Sequence, residues 1–384
     1  MVAAFCATSG PAVNTWGCAR APRGEWVETL RSLRTNAGSR RVARRVRWCR
    51  AAAGATAAAG GESSAETAPA GAPRCGFVSF LGPSNTGKST LMNALVGAKV
   101  AIVSPKVQTT RTRVTGIVVE RSCNAQLVFL DTPGIFRAKR RLDRAMVRAA
   151  WQSGSGTDMV SLIFDGREFW QSAGKLNDTQ QEIVEAVATR RANGQLKAHV
   201  SLTVNKIDLV PEPERDALVS RMREVVGGQQ AVDEVFVVSA LRGTGIDRMR
   251  RRLAELSPVG PWLYPEDDLS DMPQRLLAAE IVREQVFLQL RHELPYATAV
   301  ETEEWTERPD GSVVILCTVL VTRDSQKGIV AGAKGSRIKS IGTQARLAME
   351  RLFDRKVHLY LHVKSRKWDE NPAHFRSWGL EYDV

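Results

Sequence analysis

The nine residues GPSNTGKST, from Gly82 to Thr90, decide the fold class of this chain. They match G-x-x-x-x-G-K-[ST], in which glycines let successive backbone N–H groups point at phosphate oxygens. Within this pattern Lys88 reaches the β- and γ-phosphates, and the Ser89 hydroxyl ligates Mg²⁺. An apolar run, CGFVSFL, comes before the stretch and predicts a strand, while STLMNALVGAKV after it predicts a helix. This context favours a phosphate-binding loop over a chance glycine-rich turn.

The net charge of +13 is concentrated at the two ends of the 384-residue chain. Residues 1–74 contain eleven Arg, no Lys and four Glu, and residues 322–384 contain thirteen Lys or Arg against seven Asp or Glu. The rest is close to neutral, so the two basic ends need separate explanations. The length allows two domains. No stretch approaches the ~20 apolar residues that span a bilayer, and the six cysteines form no C-x-x-C pair that would indicate a zinc site.

Residues 1–74 have the composition of an organellar transit peptide. They are rich in Ala, Arg, Ser and Gly, and they lack the apolar core of about 7–15 residues that secretory signals carry. The alternative is a disordered basic tail that binds RNA or an acidic partner. The first ten residues are uncharged and an Ala-rich stretch follows the Arg cluster, which favours the chloroplast stroma slightly over the mitochondrial matrix.

The rest of the chain divides into two domains and a linker. Strands and helices alternate over residues 75–257, which predicts an α/β domain with a mostly parallel sheet and helices on both faces. Residues 258–273 are rich in proline and acidic residues and predict a linker. Residues 274–384 show the order helix, two strands, helix, strand, which predicts an α+β domain.

The segment NKID at residues 205–208 predicts which base is bound. The Asp208 carboxylate can accept hydrogen bonds from guanine N1–H and N2–H₂, and adenine offers neither donor on that edge. Asn205 can meet the base edge and tie loops together, and the stem of Lys206 can lie along the ring. Ala240, in the segment SAL, can offer its backbone N–H to guanine O6. The nucleotide is therefore predicted to be GTP.

The segment DTPG at residues 131–134 predicts a switch that senses the γ-phosphate. Asp131 can hold Mg²⁺ through water, and the Gly134 N–H can contact the γ-phosphate. Thr110, preferred over its neighbour Thr109, can ligate Mg²⁺ only while that phosphate is present. Many GTPases orient the attacking water with a Gln soon after this segment, but Ile135 stands here. Slow intrinsic hydrolysis is expected, with help from an ion, a partner or RNA.

The segment GAKG at residues 332–335 precedes a basic helix in the second domain. A G-x-x-G turn of this kind can clamp about four nucleotides of single-stranded backbone. Lys334, Arg337 and Lys339 supply positive charge there, and bases would be bound on the adjacent β-surface. The alternative is a glycine turn beside a solvated basic face. The charge excess of this part of the chain favours a phosphate backbone as partner.

Taken together, residues 75–384 resemble the Era family of bacterial-type ribosome-assembly GTPases, which carry a C-terminal KH domain. The segments NTGKSTLMNALVG, QTTRTRVTGI, DTPG, NKID and SAL fall in the family's order. Related GTPases that modify tRNA share only this first set. More specific are YPEDDLSDMPQRLLAAEIVREQVFLQLRHELPYATAVE and QKGIVAGAKGSRIKSIGTQARLAMERLF followed by VHLYLHVK. Thr86 and Ala331 depart from the residues usual in the family.

The resemblance implies a P-loop NTPase G domain followed by a KH-like RNA-binding domain of type II. It implies GTP hydrolysis with Mg²⁺, K⁺ coordination by Asn85, and binding near the 3′ end of small-subunit rRNA to assist maturation of the small ribosomal subunit. The leader is absent from bacterial members, which argues for an organellar copy. A monomer is expected, and peripheral membrane association stays open because some members show it. The alternative function is a GTP-binding RNA scaffold with negligible turnover.

These motifs define the predicted site residues. The nucleotide-binding set is Gly82, Asn85, Thr86, Gly87, Lys88, Ser89, Thr90, Asp131, Asn205, Lys206, Asp208, Ser239, Ala240 and Leu241. The set assigned to hydrolysis is Lys88, Asn85, Thr110 and Gly134, and the set assigned to the metal is Ser89, Thr110 and Asp131. The RNA-binding set is Gly332, Ala333, Lys334, Gly335, Arg337 and Lys339.

Overall fold

The structure, a computed structural model, describes residues 71–136, 141–154, 156–227, 231–378 and 380–382. The predicted leader therefore lies outside the described residues, apart from its last four. The first strand begins at Arg74, one residue before the predicted start of the first domain. Within the described residues, no helix combines the length and the apolar content needed to cross a membrane.

The first domain is built on a six-stranded sheet with the strand order β2-β3-β1-β4-β5-β6. The strands are β1 (Arg74–Leu81), β2 (Val114–Glu120), β3 (Ala125–Asp131), β4 (Met159–Asp165), β5 (His199–Asn205) and β6 (Glu234–Val237). Only the pairing of β2 with β3 is antiparallel. The apolar runs of the sequence thus form the mostly parallel sheet that they predict, and the loops after their carboxyl ends meet at one edge.

Among the described residues, six α-helices cover both faces of this sheet. They are α1 (Lys88–Val96), α2 (Arg141–Gly154), α3 (Gly166–Gln171), α4 (Asp178–Ala192), α5 (Arg215–Gly227) and α6 (Ile246–Leu256). Apolar residues of α1 and α6 pack in one core cluster, and those of α2, α3, α4 and α5 pack in another. This arrangement confirms the predicted α/β architecture. The helices α2 and α3 were absent from the sequence prediction.

The second domain is a three-stranded sheet whose two long helices pack on one face, while Phe375 of its last helix packs with Ala299 and Leu320 on the other. Its elements are α7 (Gln274–Gln289), β7 (Thr298–Glu307), β8 (Val313–Val321), α8 (Ser325–Ala331), α9 (Ser336–Phe353), β9 (Val357–Ser365) and α10 (Pro372–Ser377). Strand β8 pairs antiparallel with β7 and parallel with β9. The predicted order was incomplete, because α8 and α10 are only seven and six residues long and show too little periodicity to be recognised. Residues of α7 and α9 pack on the sheet in a core of their own.

The predicted linker, residues 258–273, is fixed on the first domain rather than free. The Gln126 side chain is buried, and its Oε1 accepts the backbone N–H groups of Leu263 and Tyr264 at 2.9 and 3.0 Å. Farther along, the N–H of Ile117 in β2 donates to the Leu269 carbonyl at 2.9 Å. The linker thus lies against β2 and β3, and it continues directly into α7.

Candidate functional site

The phosphate-binding loop, residues 82–90, turns sharply between β1 and α1. Gly82 and Gly87 have φ values of 153° and 92°, which L-residues with side chains rarely adopt. A Cβ on Gly82 would lie 2.3 Å from the Ile163 carbonyl oxygen, and one on Gly87 would lie 2.4 Å from Asn205 Nδ2. Gly87 is the N-cap of α1 and provides no side-chain cap. The N–H groups of the helix N-terminus are therefore open to an anion.

Lys88 places a buried ammonium inside this loop. Its Nζ donates to the carbonyls of Pro83 at 2.7 Å and Gly82 at 3.2 Å. Burial lowers the pKa of Lys88 to about 8, and the attraction of Asp131 opposes that effect only in part. A phosphate at this place would supply the negative charge that the buried ammonium lacks.

The three predicted metal ligands meet in the structure. Ser89 Oγ donates to Asp131 Oδ2 at 2.5 Å, Thr110 Oγ1 donates to the same oxygen at 3.2 Å, and the two hydroxyls lie 2.9 Å apart. Asp131 is fully buried, burial raises its pKa, and its Oδ1 has no hydrogen-bond partner among the described residues. Two hydroxyls and an unsatisfied carboxylate are the hard oxygen donors that suit Mg²⁺.

Thr110 lies in the loop of residues 99–113 between α1 and β2, here called the switch loop. Its neighbour Thr109 was the alternative metal ligand. The Thr109 hydroxyl instead donates to the Lys106 carbonyl at 2.7 Å and lies 2.6 Å from Ser104 Oγ. The geometry therefore favours Thr110 at the metal site.

The segment that follows Asp131 returns to the phosphate-binding loop. The Ile135 N–H donates to the Gly82 carbonyl at 3.0 Å, and its side chain is buried in the core. A Cβ on Gly134 would lie 2.6 Å from Ser84 Oγ, so the two loops touch there. Gly134 lines the same cavity as Lys88. The side chain of Ile135 contributes no group that could orient a water molecule, as the sequence predicts.

Asn205 ties three loops together at the other end of the cavity. Its Nδ2 donates to the Thr86 carbonyl at 2.8 Å, and its Oδ1 accepts the N–H groups of Lys206 at 2.8 Å and Ala240 at 3.0 Å. The Ala240 N–H, predicted to be directed at guanine O6, lies against the Asn205 amide oxygen in the structure, and its role toward the base stays a prediction. Of the two roles predicted for Asn205, the structure shows the loop-tying one.

Asp208 and Lys206 are held in place by neighbouring loops. Ser239 Oγ donates to Asp208 Oδ1 at 2.6 Å and leaves the second carboxylate oxygen for a base. Lys206 Nζ donates to the Asn85 carbonyl at 2.7 Å and forms an ion pair with Asp165 at 2.6 Å. Asp165 also caps α3. Sequence reasoning missed Asp165 as a partner of Lys206, since it is an ordinary acidic residue at a strand end.

The remaining predicted residues lie around the same cavity and loop. Thr90 lines the cavity. Leu241 is 78% exposed and lies two residues after Ser239, the hydrogen-bond partner of Asp208. Within the described part of the chain there is no group of three or more His, Cys, Asp or Glu side chains that could hold a metal. The hydroxyl and carboxylate oxygens at Asp131 are thus the ligands that the structure offers.

The G-x-x-G segment forms the turn between α8 and α9. Gly332, Lys334 and Gly335 all have positive φ, at 74°, 50° and 75°, and α9 has no side-chain N-cap. Lys334 and Lys339 are exposed, as is Ala333.

Arg337 is exposed as well, but its Nη1 already donates to the Ile329 carbonyl at 2.6 Å. The turn therefore presents backbone N–H groups and two lysines on one end of a helix.

These features define a class of protein: a P-loop NTPase with a guanine-type base loop, joined to a small α+β domain with a G-x-x-G turn. Family models agree with both halves. Residues 77–206 match the model described as 50S ribosome-binding GTPase, and residues 293–369 match the KH domain.

The similarity to known proteins extends over both domains. The chain is 48% identical over 314 residues to the GTPase Era of Bradyrhizobium sp., which covers 81% of this chain and 96% of that protein. It is 49% identical over 310 residues to the GTPase Era of Afipia carboxidovorans, with coverage of 80% and 95%. The chain belongs to the Era family of GTPases.

Solved structures show the same relationship. An Aquifex aeolicus Era variant bound to GDP and aluminium fluoride matches with a TM-score of 0.71 and 34% identity, over 81% of this chain and 100% of that chain. Era in complex with MgGDPNP and nucleotides 1506–1542 of 16S ribosomal RNA matches with a TM-score of 0.72 and 35% identity, over the same shares.

Proposed function

We propose that this protein hydrolyses GTP with Mg²⁺, binds small-subunit rRNA near its 3′ end, and thereby assists maturation of the small ribosomal subunit. One observation carries the proposal: a single chain joins a guanine-nucleotide site to a G-x-x-G module. The Era relative that is 35% identical holds MgGDPNP and a segment of 16S ribosomal RNA in one complex, which supports the combination.

We assign each residue of the site a part in GTP binding or hydrolysis. Asp208, oriented by Ser239, accepts the guanine N–H groups, and Lys88 with the N–H groups of α1 binds the β- and γ-phosphates. Ser89, Thr110 and Asp131 would hold Mg²⁺, which supplies positive charge against the phosphate oxygens when it is bound. The Gly134 N–H contacts the γ-phosphate, so its loop senses hydrolysis.

We also propose that K⁺ binds beside Asn85. The Asn85 Nδ2 donates to the Pro105 carbonyl at 3.0 Å, which holds the Asn85 side chain, with its neutral amide oxygen, against the switch loop. Neutral oxygens suit a monovalent cation. Such an ion would compensate for the apolar side chain of Ile135, which cannot orient water.

The alternative function is an RNA scaffold that binds GTP with negligible turnover. The convergence of Ser89, Thr110 and Asp131 argues against it, since a site used only for binding has no need of a hydroxyl that depends on the γ-phosphate. A role in tRNA modification is disfavoured by the KH domain at residues 293–369.

We further propose that the protein acts in an organelle, with the chloroplast stroma slightly preferred over the mitochondrial matrix. The composition of residues 1–74 supports this. The bacterial relatives named above cover four-fifths of this chain while using nearly all of their own length. No transmembrane segment is needed for this role, and we expect a monomer.

The experiment that tests the function is GTP hydrolysis by the full chain in K⁺ buffer with Mg²⁺. Turnover is measured with an RNA that matches the 3′ tail of the small-subunit rRNA, with a scrambled RNA, and without RNA. We expect hydrolysis of GTP and not ATP, and stimulation by the matching RNA alone. Binding of the matching RNA with no hydrolysis in any sample would instead establish the scaffold function.

A further inference from the structure

The switch loop is held by the second domain at both of its ends and in its middle. Glu284 of α7 is buried; its Oε1 accepts the Val103 N–H at 2.9 Å, and its Oε2 pairs with Lys99 Nζ at 2.6 Å. Lys106 Nζ donates to two carbonyls at the C-terminal end of α7. A buried carboxylate without partners costs folding free energy. The contacts of Glu284 with Val103 and Lys99 are therefore expected to form and break together.

Arg283, on the same face of α7, holds the residue that precedes Thr110. It is 2% exposed, and its Nη2 donates to the Thr109 carbonyl. Its Nε donates to Glu280 at 2.9 Å, and its guanidinium lies 5.2 Å from the centroid of the Phe287 ring. The guanidinium is thus fixed within α7 while one of its N–H groups is directed at the switch loop.

Arg111 is the residue that follows Thr110, and the second domain holds its side chain. It is also 2% exposed and extends from the switch loop into the second domain. Its guanidinium donates to the carbonyls of Thr298 at 2.7 Å and Tyr296 at 3.3 Å, and its carbon lies 5.1 Å from the centroid of the Trp368 ring. Carbonyl acceptors and an aromatic face are favourable surroundings for a buried guanidinium.

Thr110 therefore lies between Thr109, whose carbonyl Arg283 holds, and Arg111, whose side chain the second domain holds. Adjacent Cα atoms are about 3.8 Å apart, so anchoring residues 109 and 111 leaves the Thr110 side chain few positions. In the structure its hydroxyl lies 2.9 Å from Ser89 Oγ and 3.2 Å from Asp131 Oδ2. The segment that carries Thr110 to the metal-ligand set is thus held on both sides of Thr110 by contacts with the second domain.

We propose that Arg283 and Arg111 are positioning residues for GTP hydrolysis, which act by holding Thr110 at the metal site. Neither contacts the nucleotide site directly. The proposal rests on the proposed GTP and Mg²⁺ function. It states that these two arginine side chains make the metal site of the first domain depend on the second domain.

The test uses full-length chains and a fluorescent, non-hydrolysable GTP analogue. The quantity measured is the Mg²⁺ concentration for half-maximal binding of the analogue, with a fluorescent GDP as comparison. Arg283→Met is expected to raise this concentration about tenfold for the GTP analogue, as befits loss of a charged hydrogen bond. The GDP value is expected to stay unchanged, since Thr110 ligates the metal only with the γ-phosphate present.

Arg275→Met is the matched control. Arg275 lies on the same helix and also donates to carbonyls, those of Glu303 at 2.8 Å and Thr302 at 3.2 Å, but these belong to β7 of its own domain. We expect no change in the Mg²⁺ requirement. An equal change in the control would show a general effect on the second domain and would overturn the proposal.

A double-mutant cycle with Thr110→Ala separates positioning from a structural effect. If Arg283 acts through Thr110, Arg283→Met adds nothing to the Mg²⁺ requirement of Thr110→Ala. The proposal is contradicted if Arg283→Met and Thr110→Ala raise the Mg²⁺ requirement independently, or if the Mg²⁺ requirement rises equally for the GTP and GDP probes. Should Arg283→Met fail to fold, Arg283→Lys and Arg111→Lys keep one charged donor each and carry the same cycle. A wild-type chain that does not bind the GTP analogue with Mg²⁺ would contradict the proposed function itself.

Discussion

Lys88 is a buried charge at the centre of the nucleotide site. Its burial lowers its pKa from 10.5 to about 8, so the folded chain binds this proton less tightly than the unfolded chain does. The cost of the buried ammonium is present in full below about pH 8 and disappears as the pH rises toward the unfolded value of 10.5. Nucleotide binding and the stability of the empty protein therefore place opposite demands on this residue.

We expect Lys88→Met to stabilise the nucleotide-free protein at pH 7 while it abolishes GTP binding. The gain in the free energy of unfolding should be about 1–3 kcal/mol, since a shift of one pKa unit corresponds to about 1.4 kcal/mol and the lost bonds to Pro83 and Gly82 offset part of it. Urea unfolding at pH 7 and pH 10 measures the effect, and the gain should shrink at pH 10. The exposed Lys197→Met serves as control. A destabilised variant at pH 7 would show that the carbonyl bonds outweigh the burial.

Motifs place the residues of the site but not the hydrogen bonds between them. Ser89 and Asp131 could be assigned from spacing, because Asp131 ends β3 and Ser89 lies in the helix that follows the loop after β1, both at the carboxyl edge of the sheet. The choice between Thr109 and Thr110 as metal ligand depends on the conformation of the switch loop, which turns the Thr110 hydroxyl toward Asp131 and the Thr109 hydroxyl toward Lys106. The Ala240 N–H lies 3.0 Å from the Asn205 oxygen, a contact that no spacing rule reveals.

The helix α9 begins at the G-x-x-G turn and combines two attractions for phosphate. Its N-terminal N–H groups have no side-chain cap, and the exposed Lys334 and Lys339 lie in the turn and first turns of the helix. A helix N-terminus favours anions, and each lysine adds a full charge. Because Arg337 is bound to the Ile329 carbonyl, we expect it to contribute less than the two lysines.

We expect the double variant Lys334→Ala/Lys339→Ala to weaken binding of the rRNA 3′ tail and to reduce its salt dependence. Each phosphate contact to a single strand contributes about 0.7 to the slope of log K against log salt, so the slope should fall by about 1.4. Affinity is measured at several KCl concentrations. Lys327→Ala is the control, since Lys327 is already paired with Asp324 at 2.6 Å. An unchanged slope would place the RNA elsewhere.

Most long elements could be predicted from the sequence, and short ones could not. The helix α4 has the capping box of Asn177 and Gln180, a local signal that fixes its start. The buried Leu142, Ala145 and Met146 of α2 do recur at helical spacing, and this pattern was not recognised, whereas α8 and α10 are too short for a pattern. These are the elements that the sequence prediction omitted, and their positions depend on packing against distant parts of the chain.

The proposed leader concerns the molecule as a whole, because a transit peptide would determine the compartment in which the protein acts. We expect residues 1–74 fused to a fluorescent protein to reach the plastid in cells that contain both plastids and mitochondria. The same fusion with the arginines of residues 40–50 replaced by alanine should stay in the cytosol, because transit peptides depend on basic residues. Arrival in mitochondria would overturn the plastid preference, and a cytosolic wild-type fusion would overturn the organellar proposal.

The relation between the two domains was beyond sequence reasoning. Charged residues at helical spacing, such as Arg283 and Glu284, normally indicate a solvated face, yet both are buried against the switch loop. Gln126 likewise shows no pattern that would predict its bonds to the linker. Each of these contacts joins residues more than 130 positions apart, and such pairings depend on the assembled fold.

The linker also has a consequence for the solubility of the first domain. Strand β2 is the edge strand of the six-stranded sheet, and the bond from Ile117 to Leu269 covers part of that edge. An open edge offers unpaired N–H and C=O groups to strands of other molecules and invites aggregation. The segment that connects the domains is therefore also a shield against edge-to-edge association. A first domain cut free at residue 257 would lose that shield.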